Sequence, residues 1–231
     1  MSYEVETTRR GYRLNQNGSV LSEVLAAPGA TNSVFDFLAG LTVIFAGQGD
    51  AALLGFAGGG MIAPLRKAGA GTRIYGVDLD LAGHELFRRV SQDWCGEVSF
   101  EREDAVTWLE RREIPFHVVI EDLSVPTEDD VIKPDVSCGP LPELIRAKLR
   151  PGGVVVTNML KPKRMKWDDF MPGFARGHRS ACVVHLREFE NRIMVAGDFA
   201  CSVRQLSRRL GKVLRDIGSD QADQFSLRTF R

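Results

Sequence analysis

The chain of 231 residues predicts an α/β domain built on a mostly parallel sheet, with a short β extension at its N-terminus and an antiparallel hairpin near its C-terminus. Three observations carry that prediction. Short runs rich in Val, Ile and Leu alternate with helical patterns between residues 51 and 158, the rhythm of βαβ units whose sheet is covered on both faces. A glycine-rich turn, Gly55-Phe56-Ala57-Gly58-Gly59-Gly60, joins the first of those runs to a helix. The rhythm then breaks: residues 181–189 and 192–196 are two β patterns joined directly at Glu190-Asn191, too short a link for a parallel crossover.

The elements follow in order. Residues 3–7, 12–14 and 19–25 alternate weakly around an Asn17-Gly18 turn signal and predict short antiparallel strands. Pro28-Gly29 breaks the chain, so residues 1–30 form the extension and residues 31–231 the main domain. Over residues 31–45 the spacing of Val34, Phe37, Leu38, Leu41 and Ile44 is helical, with Thr31 or Asn32 as N-cap. Strands are expected at 51–54, 73–78, 98–101, 116–122 and 154–158. Helices are expected from the glycine turn through Lys67, then at 81–92, 105–112 and 141–149, the last ended by Pro151-Gly152-Gly153. Residues 202–217 close the pattern as an amphipathic helix. A parallel sheet ending in an antiparallel hairpin is the usual end of the class I methyltransferase-type fold, a Rossmann-like arrangement; a plain dinucleotide-binding domain continues in parallel.

Thirty basic residues balance thirty acidic ones, so no global field draws the chain to nucleic acid or to a membrane surface. No apolar h-region opens the sequence and no apolar run approaches the length of a bilayer span. Cys95, Cys138, Cys182 and Cys201 form no C-x-x-C pair, and His84, His117, His178 and His185 show no metal spacing. A cytoplasmic protein with reduced thiols and no metal is the expectation, with His117 structural. The expected partner is a small-molecule acceptor, with a homodimer left open.

The candidate site begins at the glycine turn. Gly55, Gly58, Gly59 and Gly60 let backbone N–H groups approach a ligand, with a helix N-terminus behind them. Asp78 closes the second strand about 20 residues later, where an acid accepts hydrogen bonds from ribose hydroxyls. The pair does not name the ligand: Gly58 to Ala63 also fits the G-x-G-x-x-A form of the nicotinamide fingerprint, and tight packing without a ligand is a third reading. Asp104 and Ala105 close the third strand, placing an acid to accept from an adenine amino group or to cap the following helix. Asp122 ends the fourth strand beside Glu121. Two weaker signals remain. Glu128, Asp129, Asp130 and Asp135 form an acidic lid or a solvated loop, and Lys161, Lys163, Arg164 and Lys166 make a basic turn.

These residues resemble the spermidine synthase family of polyamine aminopropyltransferases, within the class I S-adenosylmethionine-dependent methyltransferase superfamily. The resemblance rests on Leu53 to Gly60, Tyr75 to Asp80, Glu103-Asp104-Ala105 with Trp108-Leu109, Phe116 to Asp122, and Leu149 to Gly153. It implies S-adenosylmethionine or its decarboxylated form as donor, bound by residues 31–231, and implies Asp122 as the base that deprotonates an attacking amine. The chain departs from the family at Gly58 (an aspartate there), Val125 (a second acid), Leu21 (a glutamine) and Val34-Phe35-Asp36 (Tyr-His-Glu). Those positions hold the polyamine and the aminopropyl group, so the resemblance implies a kept nucleoside site and a rebuilt acceptor site. The resulting expectation is a transferase moving a methyl or other alkyl group to a small amine. A true aminopropyltransferase, an NAD-dependent oxidoreductase and a non-catalytic nucleoside-binding scaffold are the alternatives.

Overall fold

The computed structural model describes residues 3–16, 18–127, 130–160, 162 and 165–230. Asn17 of the turn signal, Glu128 and Asp129 of the acidic loop, and Lys161, Lys163 and Arg164 of the basic turn lie outside them.

Three short strands come first, β1 (Glu4–Thr8), β2 (Gly11–Gln16) and β3 (Ser19–Leu25), forming a separate antiparallel sheet. Helix α1 (Val34–Ala46) follows. Its N-cap is Ser33, not Thr31 or Asn32. The reason is Asp36, which is fully buried and accepts the N–H groups of Thr31 (2.7 Å) and Asn32 (2.9 Å), holding both outside the helix. The hydroxyl of Ser219 donates to the same carboxylate at 2.6 Å. Asp36, one of the positions where the chain departs from the aminopropyltransferases, is therefore a staple between the two ends of the domain.

The main domain then runs β4 (Asp50–Leu54), α2 (Ile62–Lys67), β5 (Arg73–Asp78), α3 (Ala82–Ser91), β6 (Val98–Arg102), α4 (Ala105–Glu110) and β7 (Phe116–Glu121). A two-stranded ribbon, β8 (Val125–Pro126) and β9 (Val131–Ile132), leads to α5 (Asp135–Cys138) and α6 (Leu141–Ala147). Then come β10 (Leu149–Met159), α7 (Trp167–Phe170), β11 (Ser180–Leu186), β12 (Arg192–Gly197), α8 (Val203–Ile217) and β13 (Phe225–Thr229). The eight-stranded sheet has the order β13-β11-β12-β10-β7-β4-β5-β6. From β10 to β6 all neighbours are parallel; β12, β11 and β13 add antiparallel.

Three features differ from the sequence expectation. The Pro151-Gly152-Gly153 turn lies inside β10 as a shift of register against β7, because α6 has already ended at Ala147. Gly152 takes φ +77° there, and a side chain on Gly153 would meet the carbonyls of Phe116 and His117. Strand β13 is an addition: its alternating Phe225, Leu227 and Thr229 share the stretch with Arg228, so periodicity alone does not single it out. The loop after Asp122 carries structure of its own, the ribbon and α5.

Alternation along the strands builds two cores. Ala51 and Leu53 of β4 and Val118 and Ile120 of β7 face α1, α2, α3 and α8; Ala52, Leu54 and Val119 face α4 and α6. Helix α8 seals the first core through Leu206, Leu210, Leu214 and Ile217, with a Ser202–Gln205 capping box at its start and Gly218 in the left-handed conformation at its end. The order reverses between β4 and β7, because the chain builds outward through β5 and β6 and then returns to the other side of β4. That reversal opens a crevice at the carboxyl ends of β4 and β7, the place where α/β sheets bind ligands.

Candidate functional site

Gly55 leaves β4 at the reversal with φ +85°, and Asp122 leaves β7 beside it. The Asp122 N–H donates to the Leu54 carbonyl at 2.9 Å, and a Cβ on Gly55 would lie 2.6 Å from the Asp122 carbonyl oxygen. No other residue type fits so close an approach in that conformation. The next turn is held by Asp78. Its carboxylate accepts the Ala57 N–H at 2.7 Å and the Asp80 N–H at 3.1 Å, and Ala57 sits at φ +43°. Burial pushes the Asp78 pKa up, opposed by the backbone donors of Ala57, Asp80 and Leu79.

The three consecutive glycines are buried against protein. A Cβ on Gly58 would come within 2.7–3.0 Å of Val24, Leu14 and Ser22 of the N-terminal sheet. On Gly59, at φ +65°, it would meet the rings of Phe56 and Phe87; on Gly60, the ring of Phe35. Their smallness admits side chains from β2, β3, α1 and α3. The backbone nearer the crevice is at Gly55 and Ala57, both partly exposed.

Asp104 is the N-cap of α4: its Oδ1 accepts the N–H groups of Val106 (3.0 Å) and Thr107 (3.1 Å), while Oδ2 takes part in neither bond. Ala105 is buried in the second core with Trp108. Leu79, directly after Asp78, is 56% exposed, an apolar side chain at the ligand edge of the sheet. Tyr3 reaches the same edge from the N-terminal segment. Burial, and then the charges of Asp78 and Asp80, drive its phenol pKa upward.

Asp122 and Glu121 alternate across the strand and do separate things. Glu121 is buried and paired with Lys133 at 2.8 Å; Ser137 (3.0 Å) and the Leu123 N–H (3.2 Å) donate to the same oxygen. Lys133, also buried, donates in addition to the Leu123 carbonyl at 2.9 Å. The loop beyond Asp122 is thus anchored to β7 by an ion pair. Asp122 accepts from Asn158 Nδ2 at 2.7 Å, and Asn158 Oδ1 accepts from Asn191 Nδ2 at 2.9 Å. Burial pushes the Asp122 pKa up to about 6, with the charges of Glu121 and Asp78 adding to the rise and Lys133 and Asn158 opposing it. That carboxyl changes charge in the range where a general base is useful.

Sequence reasoning missed Asn158, Asn191, Lys133, Tyr3 and Leu79. Asn158 had a legible signal, a polar residue at the carboxyl tip of the apolar run Val154-Val155-Val156-Thr157. Asn191, Lys133 and Tyr3 depend on contacts between distant segments. His117 accepts the Asp50 N–H at 3.1 Å, a structural role. Among the described residues no group of three or more His, Cys, Asp and Glu could hold a metal, and no helix is long and apolar enough to cross a membrane.

No family model and no curated protein matches the chain in sequence. Solved structures do. A probable spermidine synthase from Corynebacterium glutamicum aligns over 97% of this chain and 86% of its own, with TM-score 0.72 and 19% identity. The spermidine synthase from Thermotoga maritima aligns over 95% of this chain and 76% of its own, at TM-score 0.66 and 10% identity. Human methyltransferase-like protein 13, in complex with SAH, aligns over 78% of this chain and 90% of its own, at TM-score 0.62 and 14% identity. The chain has the Rossmann-like fold shared by spermidine synthases and class I methyltransferases.

Proposed function

We propose that the protein is a transferase that moves a methyl or other alkyl group from an S-adenosylmethionine-type sulfonium donor to a small amine-bearing acceptor. The observation that carries this reading is the convergence of Gly55, Asp78 and Asp122 on one crevice at the strand reversal, with the Asp122 pKa near 6. The residues present fit the nucleoside. Asp78 accepts the backbone donors of the turn on both oxygens and, with about four acceptor sites in a carboxylate, keeps capacity for a ribose hydroxyl. Asp104 Oδ2 lies clear of its capping bonds and suits an adenine amino group, and the exposed Leu79 offers an apolar surface for the base.

The donor, when bound, supplies an electrophilic carbon on a positively charged sulfur that leaves as a neutral thioether. The protein's share is alignment and one proton. Asn158 holds the Asp122 carboxylate in place, and Asp122 accepts the proton that the amine nitrogen sheds as its lone pair forms the new N–C bond. A positive charge nearby would lower the Asp122 pKa and keep it ionised until the proton arrives.

Aminopropyl transfer is the second reading. It is favoured by the alignment with spermidine synthases over 95–97% of the chain, against 78% for the methyltransferase. It is disfavoured by Asp36, which is committed to Thr31, Asn32 and Ser219, and by Gly58, which is packed under the N-terminal sheet. The antiparallel end of the sheet also departs from a dinucleotide-binding fold. Calorimetric titration with S-adenosylmethionine, its decarboxylated form, methylthioadenosine and NAD tests all three. Methyl or alkyl transfer expects the first to bind best; preference for the second points to aminopropyl transfer. Binding of NAD alone, or of none, would overturn the proposal.

A further inference from the structure

The hairpin formed by β11 and β12 ends beside the crevice. Around its tip lies an open cavity of about 240 Å³, whose walls include Trp167, His185, Phe189, Glu190, Asn191 and Arg192. Asn191 links it to the site, because the side-chain relay Asn191–Asn158–Asp122 runs through two hydrogen bonds of 2.9 and 2.7 Å. Arg192 pairs with Met159 at the carboxyl end of β10, so the cavity opens at the same edge of the sheet as Asp122.

Arg192 is the informative side chain. Its guanidinium lies over the Trp167 ring, 4.4 Å from the centroid, a contact that leaves its N–H groups able to donate to a ligand. Its one side-chain hydrogen bond goes to the Met171 sulfur at 3.8 Å, a weak acceptor, and among the described residues no carboxylate forms an ion pair with it. Across the strand pair His185 faces Arg192 directly. Burial, and then the charges of Arg192 and Arg228, lower the His185 pKa, so the imidazole is neutral near pH 7 and able to donate a hydrogen bond without adding charge. Asp168 lies near enough to Arg192 to moderate the positive potential.

A preorganised guanidinium fork, a neutral imidazole and an aromatic wall make a site for a planar or tetrahedral oxyanion. We propose that this cavity is the acceptor subsite and that Arg192 anchors a carboxylate or phosphate carried by the acceptor, whose amine then reaches Asp122. The inference rests on the transferase reading and narrows its substrate class to small amines that also bear an oxyanion.

Matched pairs test it by calorimetry, with and without S-adenosylhomocysteine: ornithine against putrescine for carboxylate, phosphoethanolamine against ethanolamine for phosphate. The oxyanion-bearing member of at least one pair should bind about 10–100-fold more tightly, the scale of a charge-assisted contact. Arg192→Gln should erase that preference while leaving S-adenosylhomocysteine affinity unchanged, and Arg192→Lys, which keeps charge but loses the fork, should retain part of it. Equal or absent binding within both pairs, or a preference that survives in Arg192→Gln, overturns the anchor. Should that variant not fold, the wild-type pairs decide alone. Failure of S-adenosylhomocysteine to bind with the pair preference intact would instead overturn the transferase reading and leave the oxyanion site standing.

Discussion

At the scale of single residues, Asp122 and Asp78 are both acids at strand tips, yet their surroundings give them different work. Asp122 titrates near pH 6 because burial and neighbouring acids oppose its charge. For the proposed transfer reaction, kcat/KM should therefore rise with pH through about 6 on the acidic side. Asp122→Asn should lower kcat by about 10²–10⁴-fold and remove that limb, with donor affinity little changed. Normal turnover by the variant would make the carboxylate structural. Stability should respond with the opposite sense of pH. The folded-state pKa is raised above the ordinary aspartate value, so the folded protein binds the proton more tightly. Asp122 then favours folding at pH 4 and loses that contribution as pH rises through about 6. The Tm of wild type relative to Asp122→Asn should fall over that interval, and melting curves at pH 4 and pH 7 check it.

Asp78 should couple binding to the shape of the turn. Asp78→Ala removes a charged acceptor and leaves the Ala57 N–H without its 2.7 Å partner. Affinity for adenosyl ligands should fall about 10–100-fold in calorimetry. Asp104→Asn keeps an oxygen for the cap and should weaken binding less than Asp104→Ala. Equal losses of Tm with unchanged affinity would leave Asp104 as a helix cap only.

At the scale of elements, the segment between β7 and α6 is the least expected part of the chain. Its acids suggested a lid or a solvated loop, and Glu128 and Asp129 lie outside the described residues. Its lysine does the anchoring. Lys133 and Glu121 have side chains only 3% and 2% exposed, so each charge depends on the other for its stability in a dry setting. Lys133→Met should destabilise the protein by about 3–5 kcal/mol, because it leaves Glu121 buried and uncompensated. The double variant Lys133→Met, Glu121→Gln should recover much of that loss. Urea melts of the four proteins of this cycle measure it, and a cost under about 1 kcal/mol for the single variant would mean that the ion pair is not what anchors the loop.

For the whole molecule, the N-terminal sheet and the main domain form a shared surface. Leu14 and Val24 are buried, and together with Ser22 they cover Gly58. Tyr3 reaches toward Asp78, and Ser19 Oγ donates to Asp130 at 3.4 Å beyond the crevice. Deleting residues 1–25 should expose the apolar face of the glycine turn, lower Tm and weaken nucleoside binding together. Full nucleoside affinity in the truncated protein, measured by calorimetry, would show that the sheet is an appendage without a part in the site.

The fold was legible in the sequence because it rests on local patterns. Val118 and Ile120 against Val119, or Leu206, Leu210 and Leu214 along α8, repeat at periods that only a strand or a helix can use to bury them. The acids at strand tips were legible for the same reason, since a parallel sheet brings its carboxyl ends to one edge whatever the loops do. Three other matters were decided only by tertiary structure. Which side chains the small glycines make room for, Leu14, Phe35 and Phe87, is set by elements that lie far apart in the chain. Glu121 looked like a second acid beside Asp122 until Lys133, twelve residues away, reached it from the opposite face of the strand. The relay from Asp122 through Asn158 to Asn191, and the guanidinium of Arg192 lying on Trp167, join segments whose spacing in the chain carries no period. Hydrophobic periodicity reports which face of an element is buried. It does not report which distant polar group will meet another, because that depends on the relative placement of whole elements after they pack.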